Sequence, residues 1–234
     1  MTSSGTFLFN PAASDLVLNA FSRCGKSGTV LTAEHLHQAY IESNLLNVEW
    51  ANRGVNLWKS ETIQFPAAAQ LTQGIGAYAL PATTIAVQLA YIQTGSASAP
   101  NERVLGPMSG TQWSALPSPL NQGPPTSFFF DRQITPVMNL WPVPDQSNFY
   151  TGFVRALIQI QDVVLPAGVT IDAPYRFLDT FVAGVAKRLS VHYAPERFAE
   201  LKTIYDDSWA QATNQDADGV PMSIVPALSS YYRM

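Results

Sequence analysis

The sequence predicts an α+β fold, with helices at both ends of the chain and a β-rich segment between them. Three observations carry this. Apolar residues recur at helical spacing over residues 11–53 and again over 175–212. Between these stretches, from Val55 to about Pro166, the pattern changes to period two, and prolines fall between the apolar runs or at their ends, where edges and turns of an antiparallel sheet place them. Charge follows the same division. Between Thr62 and Phe130 the only charged side chains are Glu102 and Arg103, and there is no histidine.

Taken in order, Asn10-Pro11 reads as a cap and first turn. Leu16, Val17, Ala20 and Phe21 form the apolar side of the first helix, and Gly25 ends it. Thr32 caps a longer second helix reaching about Arg53, with Leu36, Ala39, Tyr40, Leu46 and Trp50 at helical spacing. Ile41, Leu45 and Val48 widen that stripe until it is broad enough to touch more than one neighbour. Gly54 stops the helix. Strands are expected at Ala77–Leu80, Thr84–Leu89, Ser127–Phe130, Val137–Trp141 and Gly152–Ile160, with a hairpin turn at Asp131-Arg132-Gln133 and one short helix at Gly110–Ser114. Helix returns after Asp172-Ala173-Pro174, where Leu178, Phe181, Val182, Val185 and Leu189 share a face. Ala194-Pro195 breaks the chain before a last helix carrying Phe198, Leu201, Tyr205, Trp209 and Ala212.

The chain thus divides into N-terminal helices (1–54), a β-rich insertion (55–166), C-terminal helices (167–213) and an extended C-terminal arm (214–234). The outer helices are expected to pack as one bundle, since each has an apolar face needing cover. In the arm, Pro221 and Pro226 oppose helix. Met222, Ile224, Val225, Leu228, Tyr231 and Tyr232 are too apolar to stay solvated, so they are expected to dock on a partner.

Composition narrows the function. Charged residues make up 13%, about half the share in an ordinary globular domain, and the net charge is −4. The only lysines are Lys26, Lys59, Lys187 and Lys202, so the cations are mostly arginines, a skew that interfaces favour. An uncharged central stretch suits surfaces covered by protein, where a desolvated charge must be paired. No basic run is present to neutralise phosphates. Cys24 is alone, which excludes an internal disulfide and a thiolate zinc site. The first residues lack the basic start and apolar core of a signal peptide, and the most apolar run, Thr84–Ile92, is too short to span a bilayer, so the chain is expected to be cytoplasmic at synthesis.

Chemical motifs are sparse. His35 and His37, two apart on a helix, face different ways and do not grip one metal together. His192 reads as a helix-end residue. Gly106-Pro107-Met108-Ser109-Gly110 has its serine one place late for a nucleophile elbow, and Gly74-Ile75-Gly76 lacks the third glycine and the lysine of phosphate loops. Asn214-Gln215-Asp216-Ala217-Asp218-Gly219 matches half of a calcium loop, but Val225 stands where a bidentate acid is required. Asp131, Asp145, Asp162 and Asp172 offer carboxylate pairs of no specific spacing. Phe128, Phe129, Phe130, Trp113 and Trp141 read as strand core, or as a carbohydrate platform. No cofactor is implied.

Several segments, in order over residues 30–234, resemble the head-to-tail adaptor family of short-tailed bacteriophages, also called tail tubular protein A or packaged-DNA stabilisation proteins. They are Leu45-Leu46-Asn47-Val48-Glu49-Trp50-Ala51-Asn52-Arg53-Gly54-Val55-Asn56-Leu57-Trp58, Tyr78-Ala79-Leu80-Pro81, Phe130-Asp131-Arg132, Leu140-Trp141-Pro142-Val143-Pro144-Asp145 and Pro174-Tyr175-Arg176-Phe177-Leu178-Asp179-Thr180-Phe181. The resemblance implies a virion structural protein of the tail or neck, assembled in the host cytoplasm. It would form a homo-oligomeric ring, typically a dodecamer, joining portal protein to tail nozzle protein, and in some phages to a tail fibre or spike. It would prolong the channel and touch duplex DNA passively, with no membrane and no catalytic residue. On this reading the arm residues meet portal or a neighbouring subunit, while Phe128, Phe129, Phe130 and Trp141 meet nozzle or a sister subunit. The alternatives are a tail-associated peptidoglycan or polysaccharide hydrolase and a monomeric binding module.

Overall fold

A computed structural model describes residues 5–6, 9–54, 57–67, 69–96 and 99–214. The described chain is mixed α/β, with five α-helices and a curled seven-stranded sheet. The helices are α1 (Ala13–Arg23), α2 (Ala33–Asn52), α3 (Gly110–Ser114), α4 (Leu178–Tyr193) and α5 (Phe198–Asn214). The strands are β1 (Ser60–Phe65), β2 (Ala77–Ala79), β3 (Thr84–Ser96), β4 (Ala99–Pro107), β5 (Ser127–Asp131), β6 (Val137–Trp141) and β7 (Thr151–Ile158). The expected arm residues Met222, Ile224, Val225, Leu228, Tyr231 and Tyr232, and all of the calcium-like run after Asn214, lie outside the described residues.

Local chemistry explains the helix ends. The expectation of a cap at Asn10 is corrected: α1 begins at Ala13, with Ala12 in the cap position and no side-chain cap. Tertiary contact replaces it, because the Ala13 N–H donates to Val169 O at 2.7 Å. At the other end Gly25 has φ +78°, and Lys26 N–H reaches back to Phe21 O, so a left-handed residue closes the helix as expected. Thr32 caps α2, its hydroxyl accepting from the His35 N–H while His35 Nδ1 accepts from the Thr32 N–H. His35 therefore does the work that Glu or Gln does in the usual capping box.

α4 is the helix the others lean on. It packs against α1, α2 and α5, and Leu178, Phe181, Val182, Ala183, Val185, Ala186 and Leu189 are all buried on it. Gly184 sits where α2 and α5 come closest to it. A Cβ there would stand 2.7 Å and 2.9 Å from the two methyl carbons of Leu46 and 2.9 Å from the Tyr205 ring. One apolar cluster joins these helices with Ile160, Val163 and Ile171, and a second, separate cluster fills the sheet with Phe65, Leu71, Ile92, Leu105, Met138 and Leu140 among others.

The sheet order is β1-β7-β3-β4-β5-β6-β2. All pairings are antiparallel except a short parallel join of β4 to β5, where Gly106 and Pro107 face Ser127 and Phe128. The first strand pairs with the last, Ser60 opposite Leu157, so the chain enters and leaves the sheet side by side. Buried Lys59 fixes that junction through a 2.8 Å ion pair with Asp172, whose same carboxylate oxygen accepts from the Gln161 N–H. Phe65 lies across Gly152 in the facing strand, and a Cβ at Gly152 would meet the Phe65 ring at 2.6 Å and its carbonyl oxygen at 2.8 Å. β3 and β4 run past the end of β7 as a two-stranded projection: β7 contacts β3 only as far as Gln93, while β4 pairs with it through Ser96. β1 and β4 are strands that the sequence pattern did not mark.

Two substitutions test these close approaches by chemical denaturation. Gly184→Ala should cost about 1–3 kcal/mol despite its gain in helix propensity, because Leu46 and the Tyr205 ring must both give way. Gly152→Ala should cost at least as much, roughly 2–3 kcal/mol, because one of its clashes is with backbone.

Candidate functional site

α2 has two apolar faces. One holds Ala39, Leu46 and Trp50, fully buried against α4 and α5. The other holds Tyr40, Ile41, Leu45 and Val48, which are 37–47% exposed. This outer face forms one wall of a groove of about 450 Å³, and Ile85, Gln159, Ile160 and Asp162 form the other. The walls are tied together. The Asn44 side chain donates to Val163 O and accepts from the Val163 N–H, and the Asn47 side chain donates to Gln161 O. The groove carries one charge, Asp162, which has no ion pair among the described residues. Its composition suits an apolar peptide or protein surface.

On the flank of α2 facing α4 the charges are paired. Arg188 donates to Glu49 at 2.7 Å and to Glu42 at 3.2 Å, and Glu42 also meets His192 Nε2 at 3.4 Å. Tyr205 Oη donates to Glu49 and accepts from Trp50 Nε1, both at 3.2 Å. Lys187 stands farther off, 3.7 Å from Glu49 and 4.1 Å over the Tyr205 ring. Burial raises the Glu49 carboxyl, but the Arg188 hydrogen bond and the charges of Lys187 and Arg53 outweigh it and hold the pKa below the ordinary value. Lys187 is also lowered, first by burial and then by Arg188 and Arg53 against the pull of Glu49, so Arg188 is the principal partner of Glu49. Burial, with Glu49 nearby, pushes the Tyr205 hydroxyl up to about 12, and it stays a neutral donor.

The sequence-marked residues fall elsewhere. Phe128 is buried in the sheet core; Phe129 stacks on Trp113, the ring centroids 5.8 Å apart and the ring planes 21° from parallel. Phe130 is half-buried beside that core. Trp141 is half-buried, its indole N–H donating to Ser118 O. Ser109 caps α3, and His192 faces Glu42 on the helical side. Asp145 accepts from the Tyr150 hydroxyl, Asp131 from Gln133, and Asp172 pairs with Lys59. Cys24 is buried with its Sγ on Ala186 O, and burial raises its thiol to about 11, against the opposing charges of Arg197 and Lys26. Among the described residues no group of three or more His, Cys, Asp or Glu is placed to hold a metal ion, and no described helix is long and apolar enough to cross a membrane.

The groove was half visible beforehand. The excess width of the α2 stripe marked Ile41, Leu45 and Val48, whereas Ile85 and Ile160 carry no signal that they face it. No protein-family model matches the chain, and no curated protein matches it.

The Glu49 cluster gives a pH test. A depressed folded pKa contributes stability that is present above the unfolded value, near 4.5, and is lost as pH falls through the folded one. Glu49→Gln should cost about 1–3 kcal/mol at pH 7, and the gap from the parent should shrink as pH falls from 5 to 3, read by denaturant titration at each pH.

Proposed function

We propose that the chain is a subunit of a phage head-to-tail adaptor ring, a structural protein set between portal and tail nozzle. The observation that carries this reading is the presence of an uncovered apolar face on α2 together with a sheet projection whose tip, beyond the Gln93–Glu102 pair, carries no charge. Tyr40, Ile41, Leu45 and Val48 stand exposed on a helix whose other face is already satisfied. Along β4 every described residue but Leu105 is exposed, and the only charges there are Glu102 and Arg103. Surfaces of these two kinds suit repeated protein contacts around a closed ring.

In this reading the N- and C-terminal helices form one bundle, and residues 55–166 are an insertion carried on it. The adjacent entry and exit of the sheet at β1 and β7 and the separate apolar cores of helices and sheet support that arrangement. The β unit supplies subunit and nozzle contacts. Phe129, Phe130 and Trp141 keep accessible surface for them, while Phe128 serves the core. The arm residues Met222, Ile224, Val225, Leu228, Tyr231 and Tyr232 meet portal or the next subunit. DNA contact is passive, since a net charge of −4 per copy repeated around a ring repels phosphate.

Particle mass measured with and without portal protein tests the proposal. Twelve copies of the 25.5 kDa chain, about 300 kDa, should be added to each portal ring. A chain that stays monomeric and never joins portal would sink it.

A further inference from the structure

The groove on α2 suits the end of the chain in polarity and lies within its reach. We propose that in the free subunit the apolar run 222–228 of the same chain lies in this groove, against Ile41, Leu45, Val48 and Ile85. Composition supports the match. From Gly219 to Met234 the only charged side chain is Arg233, and the only charge among the groove's described lining residues is Asp162, of opposite sign. Position supports it too. The Arg53 guanidinium, at the end of α2, lies 4.7 Å from the centroid of the Trp209 ring on α5. From Trp209, α5 continues to Asn214, about 7–8 Å further along its axis. Asn214, the last described residue of α5, thus follows a part of that helix that packs beside the end of α2, whose residues Ala51 and Asn52 line the groove.

Reach is sufficient. From Tyr40 to Asn52 the groove runs roughly 18 Å along α2, and the 20 residues that follow Asn214 span up to about 65 Å when extended. Covalent attachment to the same subunit gives a high effective concentration, so a dilute monomer fills its own groove before a neighbour's. Assembly then exchanges an intrachain contact for an interchain one. The inference extends the adaptor reading, but the free subunit alone tests it.

The test uses the full chain with Val48→Cys paired in turn with a cysteine at Met222, Ile224, Val225 or Leu228, mildly oxidised at micromolar concentration. Cys24 is buried and stays out of the reaction. At least one pair should form a disulfide that leaves the monomer mass unchanged. No bond at any of the four positions, or bonds only between chains, would overturn the proposal. Independently, Leu45→Asp with Val48→Asp should speed chymotryptic cleavage near Tyr231 and Tyr232 by at least about tenfold with unchanged helical circular dichroism, since cleavage follows the open population. An unchanged rate would also overturn it. If the disulfide forms but portal is never joined, the closed groove stands and the ring fails; if the reverse holds, the ring stands alone.

Discussion

A missing methyl group at Gly184 sets the spacing of the helices. Because nothing projects there, Leu46 of α2 and Tyr205 of α5 reach the backbone of α4 from two sides. That approach puts Tyr205 within hydrogen-bond reach of Trp50 and Glu49 at once, and Glu49 within reach of Arg188. The polar links are thus a consequence of an apolar fit. Each is modest by itself, since a hydrogen bond to a charged group contributes about 1.5–3 kcal/mol net. Their shared geometry makes them fail together if the spacing opens.

Fixing one face of α2 so tightly decides what its other face does. A helix turns about 100° per residue, so with Leu46 and Trp50 locked inward, Ile41, Leu45 and Val48 point away from α4. The segment after β7 then supplies a second wall but not a lid. Asn44 and Asn47 hold its backbone through Val163 and Gln161, which satisfies polar groups that a fully apolar covering would strand. The groove therefore has apolar walls tied together by amide hydrogen bonds at its edge.

Sequence pattern revealed the elements whose cause is local. The run Val137–Trp141 alternates and is β6 to the residue; Gly110–Ser114 has its capping serine and glutamine and is α3; Thr32 and Gly54 bracket α2. Where the cause is tertiary, pattern failed. β4 includes Pro100, Asn101 and Glu102, residue types depleted in strands, and is held in strand form by its long pairing with β3. β1 opens on Ser60, Glu61 and Thr62 and owes its place to β7. The start of α1 depends on Val169, far along the chain. The same limit applies to the groove: one wall is a stripe on a helix and can be counted, while the other depends on where a connection returns.

The distribution of charge argues for what the outer surfaces do. On the helical side nearly every long charged group near α2 is committed to a neighbour within the chain, with Glu42, Glu49, Arg53, Lys187 and Arg188 in one cluster. Such a cluster stabilises a fixed face and offers few free charges for steering a partner. The groove and the β3–β4 projection have almost none to offer either. A partner recognised by these surfaces is therefore selected by shape and apolar contact rather than by long-range attraction, and its association should depend little on salt. The proposed ring would meet that condition, because in a closed ring the partner is held nearby by symmetry and does not have to be drawn from solution.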